Sequence, residues 1–156
     1  MPMVFVPVDR EDARRLRDGQ ELTSLRGCAA TAGLARAADP DAGSEELDFI
    51  ALSNASVLAL SVTSDPLRLV LAVDVNPGEV AELGGDLGEV SVGRVGWGQV
   101  QALFVDEPGA ADAVARARVG PGAGGTLADA MVEEPVAALL AAADLLWFAP
   151  QELDQV

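Results

Sequence analysis

Short apolar runs alternate with helical patterns along this chain, which predicts an α/β fold. The runs MVFVPV (3–8), LRLVLAVDV (67–75) and VQALFVD (100–106) are rich in β-branched residues and indicate strands. EVSVGRV (89–95) is a further candidate and predicts a hairpin with 100–106, while GCAATAG (27–33) is a weaker one. We therefore predict a mixed sheet of four to five strands, flanked by helices.

Two helices are predicted between the first strands. Asp9 stands where an N-cap residue is expected for a helix over 10–18, which Gly19 closes. A longer helix is predicted from Ser44 to about Val62, with acidic residues in its first turn. Its final part, VLALSV, is also compatible with a strand, because a short apolar run does not separate the two periods.

The segment EEPVAALLAAADLLWFAP (133–150) predicts a hydrophobic C-terminal helix. Pro135 suits a first helical position, and the residues that follow are apolar on nearly every side. Such a helix is either deeply buried or shared with a second subunit. We therefore expect self-association, with Val136, Leu140, Trp147 and Phe148 at or near the contact.

Length and composition predict one domain over residues 1–156. Half of the residues are hydrophobic, so the chain can build a core. The glycine-rich stretch 120–125 follows a helical pattern and not a strand, which favours a flexible loop over a phosphate cradle. The lone Cys28, the lack of a signal-like N-terminus and the lack of a long apolar segment predict a cytoplasmic protein without a membrane partner.

The charge balance limits the expected partners. Acidic residues number 25 against 10 basic ones, a formal net charge of −15, and every base is arginine. A surface this negative repels a phosphate backbone, so nucleic acid is not an expected partner. Arg10, Arg14 and Arg17 share one face of their predicted helix; a solvated helix side is the favoured interpretation, and an anion-binding site is the alternative.

Missing residue types exclude several chemistries. The chain has no histidine, tyrosine or lysine, which removes histidine-based hydrolysis, histidine-bound metals and lysine Schiff bases. Cys28 lies among small apolar residues and is predicted to be a buried, inert thiol. No cofactor is predicted, and an enzyme built from this chain would depend on carboxylates, hydroxyls, arginines or a divalent metal.

Three aspartates follow predicted strands. Asp9, Asp74 and Asp106 would meet at one sheet edge if their strands were parallel, and there they could bind Mg²⁺ or Mn²⁺. The favoured interpretation is local: an aspartate after a strand accepts hydrogen bonds from the backbone of the next turn or helix. Only convergence in space would make these residues a site.

The segments MVFVPVD, EELDFIALSNAS and DLLWFAPQELDQV together resemble a family of uncharacterised actinobacterial proteins whose domain has no known function. The resemblance extends over nearly the whole chain and implies an actinobacterial source and one cytoplasmic domain. Phe49 and Phe148 stand where the family pattern has tyrosines, so no role that needs a phenol hydroxyl is carried over. The resemblance implies no activity and no site residues.

The sequence thus leaves three functional interpretations. The leading one is a non-enzymatic interaction or regulatory module, with a homodimer as one expected form. The alternative is a divalent-metal-dependent enzyme or binding protein for a phosphate-bearing or other anionic small molecule. A third is an acidic protein that mimics nucleic acid or binds a basic partner, which rests on the net charge alone.

Overall fold

The computed structural model describes residues 2–119 and 125–156, which fold around a seven-stranded sheet. The strands are β1 (Met3–Pro7), β2 (Leu22–Ala29), β3 (Leu69–Asp74), β4 (Val80–Glu82), β5 (Glu89–Val95), β6 (Val100–Asp106) and β7 (Leu145–Phe148). The helices are α1 (Arg10–Arg17), α2 (Ala32–Ala37), α3 (Ser44–Val62), α4 (Ala111–Arg118), α5 (Leu127–Met131) and α6 (Glu134–Ala142), and a 3₁₀ helix covers Pro150–Gln155.

The sheet is antiparallel, in the order β4-β5-β2-β1-β3-β6-β7. The prediction of an α/β chain is confirmed, but the prediction of a mixed sheet with four to five strands is wrong. The predicted hairpin of β5 and β6 is also wrong, because β2, β1 and β3 lie between these two strands. The 13-residue stretch 76–88 before β5 has the composition of a turn but contributes the extra strand β4, and the C-terminal segment contributes β7.

The predicted C-terminal helix ends earlier than expected. Helix α6 stops at Ala142, and Leu145–Phe148 forms strand β7 instead of further helical turns. Asp144 separates the two elements, and the leucine and aromatic side chains that follow suit a pleated surface. The unpaired edge of β6 supplies hydrogen-bond partners for this strand, with Val105 opposite Leu146. Tertiary pairing has therefore overridden an ambiguous local preference.

Other predicted helices are confirmed. Helix α3 covers the expected residues, and its buried positions include Ala51, Ala55 and Leu58, which follow the helical period. The strand alternative for its final part is therefore wrong. The N-cap position is Gly43 and not Ser44. Gly19 follows α1 with a φ of 101°, as expected for a glycine that ends a helix.

The sheet carries a hydrophobic core on each face. Helix α1 and the C-terminal 3₁₀ helix cover one face, whose core residues include Val6, Leu16, Leu71, Leu103 and Leu153. Helices α3, α4, α5 and α6 cover the other, whose core residues include Phe5, Leu58, Val70, Val114 and Leu139. With both faces covered, the exposed backbone of the sheet lies along its two edge strands, β4 and β7.

Two further sequence predictions concern the glycine-rich loop and the expected lack of a membrane-spanning segment. Of the predicted glycine-rich loop 120–125, only Gly125 lies within the described residues. Within the part of the chain that the structure describes, no helix has both the length and the apolar character needed to cross a bilayer.

Candidate functional site

The antiparallel sheet separates the three predicted metal ligands. Asp74 ends β3 opposite Met3, whereas Asp9 follows the far end of β1, and Asp106 ends β6 beside the start of β3. The length of β3, about 17 Å at a rise of about 3.3 Å per residue, therefore lies between Asp74 and the other two. Within residues 2–119 and 125–156, no group of three or more potential metal ligands is assembled. The structure does not bring the three carboxylates together.

Asp106 is half of a buried ion pair with Arg68. Both side chains are almost completely buried, at 0% and 1% exposed. The Nε and Nη2 atoms of Arg68 donate to the two carboxylate oxygens at 2.8 and 2.7 Å, and the Arg68 backbone N–H donates at 2.7 Å. Nη1 donates to the carbonyl of Ser56 in α3. This pair joins β3, β6 and α3, so its first role is structural.

Asp9 binds the chain beyond α3 and not its own helix. Its side chain makes no cap to α1. Its carboxylate instead accepts hydrogen bonds from the backbone N–H groups of Ser64 and Asp65, both at 2.9 Å. The expectation that Asp9 serves backbone N–H groups is confirmed, but the predicted partner is wrong. The bonded residues lie 55 positions and more away, so Asp9 ties the end of β1 to the entry of β3.

The predicted arginine face is largely occupied by carboxylates. Arg10 donates to Asp65 and to the carbonyl of Leu67, and Arg17 pairs with Asp154 at 2.7 Å. Arg14 is exposed on the same helix. Two of the three guanidinium groups therefore act as intramolecular partners, and both interpretations of this face stay predictions.

Cys28 is fully buried in β2, as the sequence predicts. Burial raises the pKa of its thiol to about 12, and the nearby Glu89 carboxylate adds to this effect. The thiol is therefore protonated across the physiological range. Because only the thiolate is a strong nucleophile, this cysteine is inert in the folded protein.

The pH dependence of stability should report this thiol directly. The unfolded thiol ionises near pH 9 and the folded one near pH 12, so ionisation favours the unfolded state between these values. We expect the free energy of unfolding to fall by about 1.4 kcal/mol per pH unit there. The chain has no lysine or tyrosine to titrate in this range. Urea unfolding at several pH values should show this slope, and Cys28→Ala should remove it. If the variant keeps the same slope, a group other than the Cys28 thiol causes the pH dependence.

The residues predicted at a subunit contact lie in different environments. Val136 is buried in the core, and Leu140 and Phe148 are half-buried. Trp147 is 61% exposed, and the neighbouring Leu146 is 40% exposed. The single C-terminal helix that was expected to carry these residues ends at Ala142, and Trp147 and Phe148 belong to β7. The exposed apolar surface is therefore on an edge strand and not on a helix face.

Strand β7 leaves one edge open for a partner. Among the described residues it pairs with β6 alone, so the N–H and C=O groups on its outer side face solvent. Trp147 stands opposite Phe104 on the face of α3, and Leu146 stands opposite Val105 on the face of α1. An open strand with large apolar side chains on both faces is a template for strand addition. We call this outer side of Leu145–Phe148 the β7 edge.

Comparison with known proteins places the chain in a family. The sequence model of a family of unknown function, DUF6912, matches residues 3–156. The chain belongs to this family. Neither a curated protein nor a solved structure matches the chain. Family membership confirms the resemblance to a family without a known function, while the actinobacterial source and the cytoplasmic location stay predictions.

Sequence reasoning missed two features of this family member. The first is the buried ion pair of Arg68, which lies inside the apolar run LRLVLAVDV. An arginine in an apolar run that is buried requires an acidic partner. The β7 edge was hidden by the helical pattern before it. Its signal was present in Asp144 followed by LLWF, a breaker and then a short run of leucines and aromatic residues.

Proposed function

We propose that this protein is a non-enzymatic interaction module that binds an extended, basic and apolar segment of a partner protein along the β7 edge. The observation that carries the proposal is the open edge strand β7, which exposes Trp147 on one face of the sheet and Leu146 on the other. A partner strand would pair with the outer backbone groups of β7, while its side chains pack against these two residues. Backbone pairing supplies affinity in such complexes, and side-chain contacts supply specificity.

The opposite edge of the sheet is protected. Strand β4 is only three residues long, contains Glu82, and is followed by Gly84 and Gly85 in left-handed conformations. Short, charged edge strands resist pairing with other chains. Strand β7 carries no charge within Leu145–Phe148 and ends in two aromatic residues. The contrast favours β7 as the edge that serves a partner, since tryptophan is enriched at the centres of interfaces.

Charge favours a basic occupant. The chain carries a formal net charge of −15, and acidic residues lie at the start of β7. Asp144 and Glu107 are exposed there, and the Asp144 backbone N–H donates to the Glu107 carboxylate. A basic segment would be attracted to this edge, whereas a second copy of the chain would be repelled. Self-association through the same edge is therefore the competing outcome.

The candidate reactive side chains support a non-enzymatic role, because they are engaged in structural hydrogen bonds or buried. Asp9 and Asp106 are occupied by structural hydrogen bonds, and Cys28 is buried with a raised pKa. The alternative of a metal-dependent enzyme for an anionic small molecule lacks comparable support, because Asp74 lies at the opposite end of the sheet from the other two carboxylates.

The proposal is tested with a peptide of alternating arginine and valine, seven residues long and blocked at both ends. We expect binding with a Kd of about 100 µM or tighter at low salt, measured by calorimetry. Changing both exposed residues, Leu146→Thr and Trp147→Thr, should weaken binding at least about tenfold, because interface energy concentrates in such anchors. Threonine keeps strand preference, so β7 should still pair with β6.

The matched control is Leu83→Thr, which changes another exposed leucine near the opposite edge and should alter the Kd less than about twofold. Raising NaCl from about 50 mM to about 500 mM should weaken peptide binding, because salt screens attraction between opposite charges. Light scattering measures self-association of the protein alone. If the protein forms a dimer whose affinity increases with salt, a second copy of the chain and not a basic partner occupies the β7 edge. No peptide binding, or equal binding by the threonine variant, would contradict the proposal.

A further inference from the structure

A groove of about 520 Å³ lies between α3 and the junction of α6 with β7. This volume is within the range of about 300–1,000 Å³ that small-molecule sites occupy. Its wall is mostly apolar, and it is formed by Phe49, Leu52, Leu140, Ala143 and Leu145, with Ser53, Ser56, Arg68 and Asp144 as the polar members. We call it the α3–β7 groove. Its combination of an apolar wall and a few polar groups is typical of ligand sites.

Arg68 brings an unusual group to this lining. Its side chain is only 1% exposed and is fixed by the pair with Asp106. A guanidinium group has five N–H bonds. Among the described residues, acceptors engage three of them: two go to Asp106 and one goes to the carbonyl of Ser56. Each side-chain nitrogen of Arg68 thus has an acceptor, and Nη1 and Nη2 each carry a second N–H for which the described residues provide no acceptor.

Phe49 adds a second unexplained feature. It is 69% exposed, although most of α3 packs its apolar residues inward. Its position on the groove wall places an aromatic ring beside the apolar lining from α6 and β7. An exposed ring at the mouth of a groove is a surface that a bound apolar molecule would cover.

The charges around the groove define the class of ligand. The charge of Arg68 is balanced by Asp106 through two short hydrogen bonds, so it offers N–H donors without a net positive charge. Asp144 adds an exposed carboxylate at the rim. The carboxylate of Asp144 would repel an anion, and a strongly hydrated cation would lose its water against the apolar wall. An uncharged molecule with an acceptor oxygen avoids both costs.

We propose that the α3–β7 groove is a binding site for a small, uncharged, apolar molecule with a carbonyl or amide group. The carbonyl oxygen accepts from Arg68, the apolar body packs against Phe49, Leu52 and Leu140, and an amide N–H of the ligand can donate to Asp144. This inference goes beyond the interaction proposed for the β7 edge, because the groove lies on the α3 face and needs no partner protein.

Benzamide is the probe, with toluene and benzoate as comparisons of similar size. We expect benzamide to bind with a Kd of about 1–10 mM, as suits a fragment of its size. In ¹H–¹⁵N correlation spectra of the unmodified protein, the backbone signals of Leu52, Ser53, Leu140 and Asp144 should shift. Toluene lacks the acceptor and benzoate carries a charge, so each should bind at least about fivefold more weakly.

Two variants distinguish binding in the α3–β7 groove from non-specific binding of benzamide to the protein surface. Ser53→Phe fills the groove and should weaken benzamide binding at least about tenfold. The control, Ala138→Phe, changes an exposed residue on α6 in the neighbouring groove with α4 and should change the Kd less than about twofold.

Shifts that map elsewhere, a Kd unaffected by Ser53→Phe, or equal binding of toluene or benzoate would each overturn the proposal. Because the spectra use the unmodified protein, the result stands even if Ser53→Phe does not fold. Peptide binding at the β7 edge is scored separately, so either proposal can fail alone.

Discussion

Replacing Asp106 by alanine should destabilise the protein by about 3–5 kcal/mol, because Arg68 would stay buried without its carboxylate partner. The pair is almost wholly excluded from water, and its three hydrogen bonds from Arg68 hold β3 against β6. Urea unfolding followed by circular dichroism gives the free energy of unfolding. A loss of this size exceeds the effect of most single substitutions in a domain of ordinary stability.

Two further variants make the test specific. Asp74→Asn changes the half-buried aspartate at the opposite end of β3 and should cost less than about 0.5 kcal/mol. The double variant Arg68→Met with Asp106→Leu removes both charges and should recover at least half of the loss, since apolar residues can replace a buried pair. If Asp106→Ala and Asp74→Asn cost the same, the buried pair does not have the structural role that its geometry indicates.

Gly88→Ala should lower the free energy of unfolding by about 2–4 kcal/mol. A methyl group on Gly88 would lie 2.3 Å from the backbone oxygen of Ala29, and its φ of 77° is unfavourable for alanine. The oxygen of Gly88 accepts a hydrogen bond from the Ala29 N–H, so the two strands have little room to separate. The clash is with backbone and not with a flexible side chain, which limits relaxation.

Gly78→Ala is the matched control for this substitution. An added methyl group there meets no atom within 4 Å, and Gly78 lies in a 3₁₀ turn that alanine readily adopts. Its effect on the free energy of unfolding should stay within about 0.5 kcal/mol. Equal losses for the two glycine variants in urea unfolding would show that the close approach of Gly88 to Ala29 is not what constrains this position.

Local patterns predicted the elements whose residues carry unambiguous signals. Strand β3 is apolar on both faces and lies near the middle of the sheet, as LRLVLAVDV indicates. Helix α3 begins and ends where the turn residues before Ser44 and Asp65 after Val62 place its limits. In both cases the sequence signal and the tertiary environment favour the same conformation, so no long-range information was needed.

Strand order and the β7 edge could not be obtained in this way. The sheet places β5 beside β2 and β6 beside β3, although only Gly96–Gln99 separates the two strands in sequence. Strand pairing depends on contacts across the whole chain, which periodicity does not contain. The choice of strand for Leu145–Phe148 likewise depends on the open side of β6.

The candidate sites show the same division. The burial of Cys28 followed from its small apolar neighbours and is confirmed. The separation of Asp74 from Asp9 and Asp106 followed from strand direction, which the sequence did not reveal. The α3–β7 groove combines residues from three distant segments, and its polar group, Arg68, is placed there by the ion pair with Asp106.

Amide hydrogen exchange across Leu145–Phe148 is the most direct test of the β7 edge. With the arginine–valine peptide in saturating excess, the amides on the outer side of β7 should exchange at least about tenfold more slowly, because backbone pairing with the peptide protects them. The same peptide with proline at its centre should give no such protection, since proline removes a strand hydrogen bond. Unchanged exchange in β7, or protection confined to β4 or α1, would contradict strand addition at this edge.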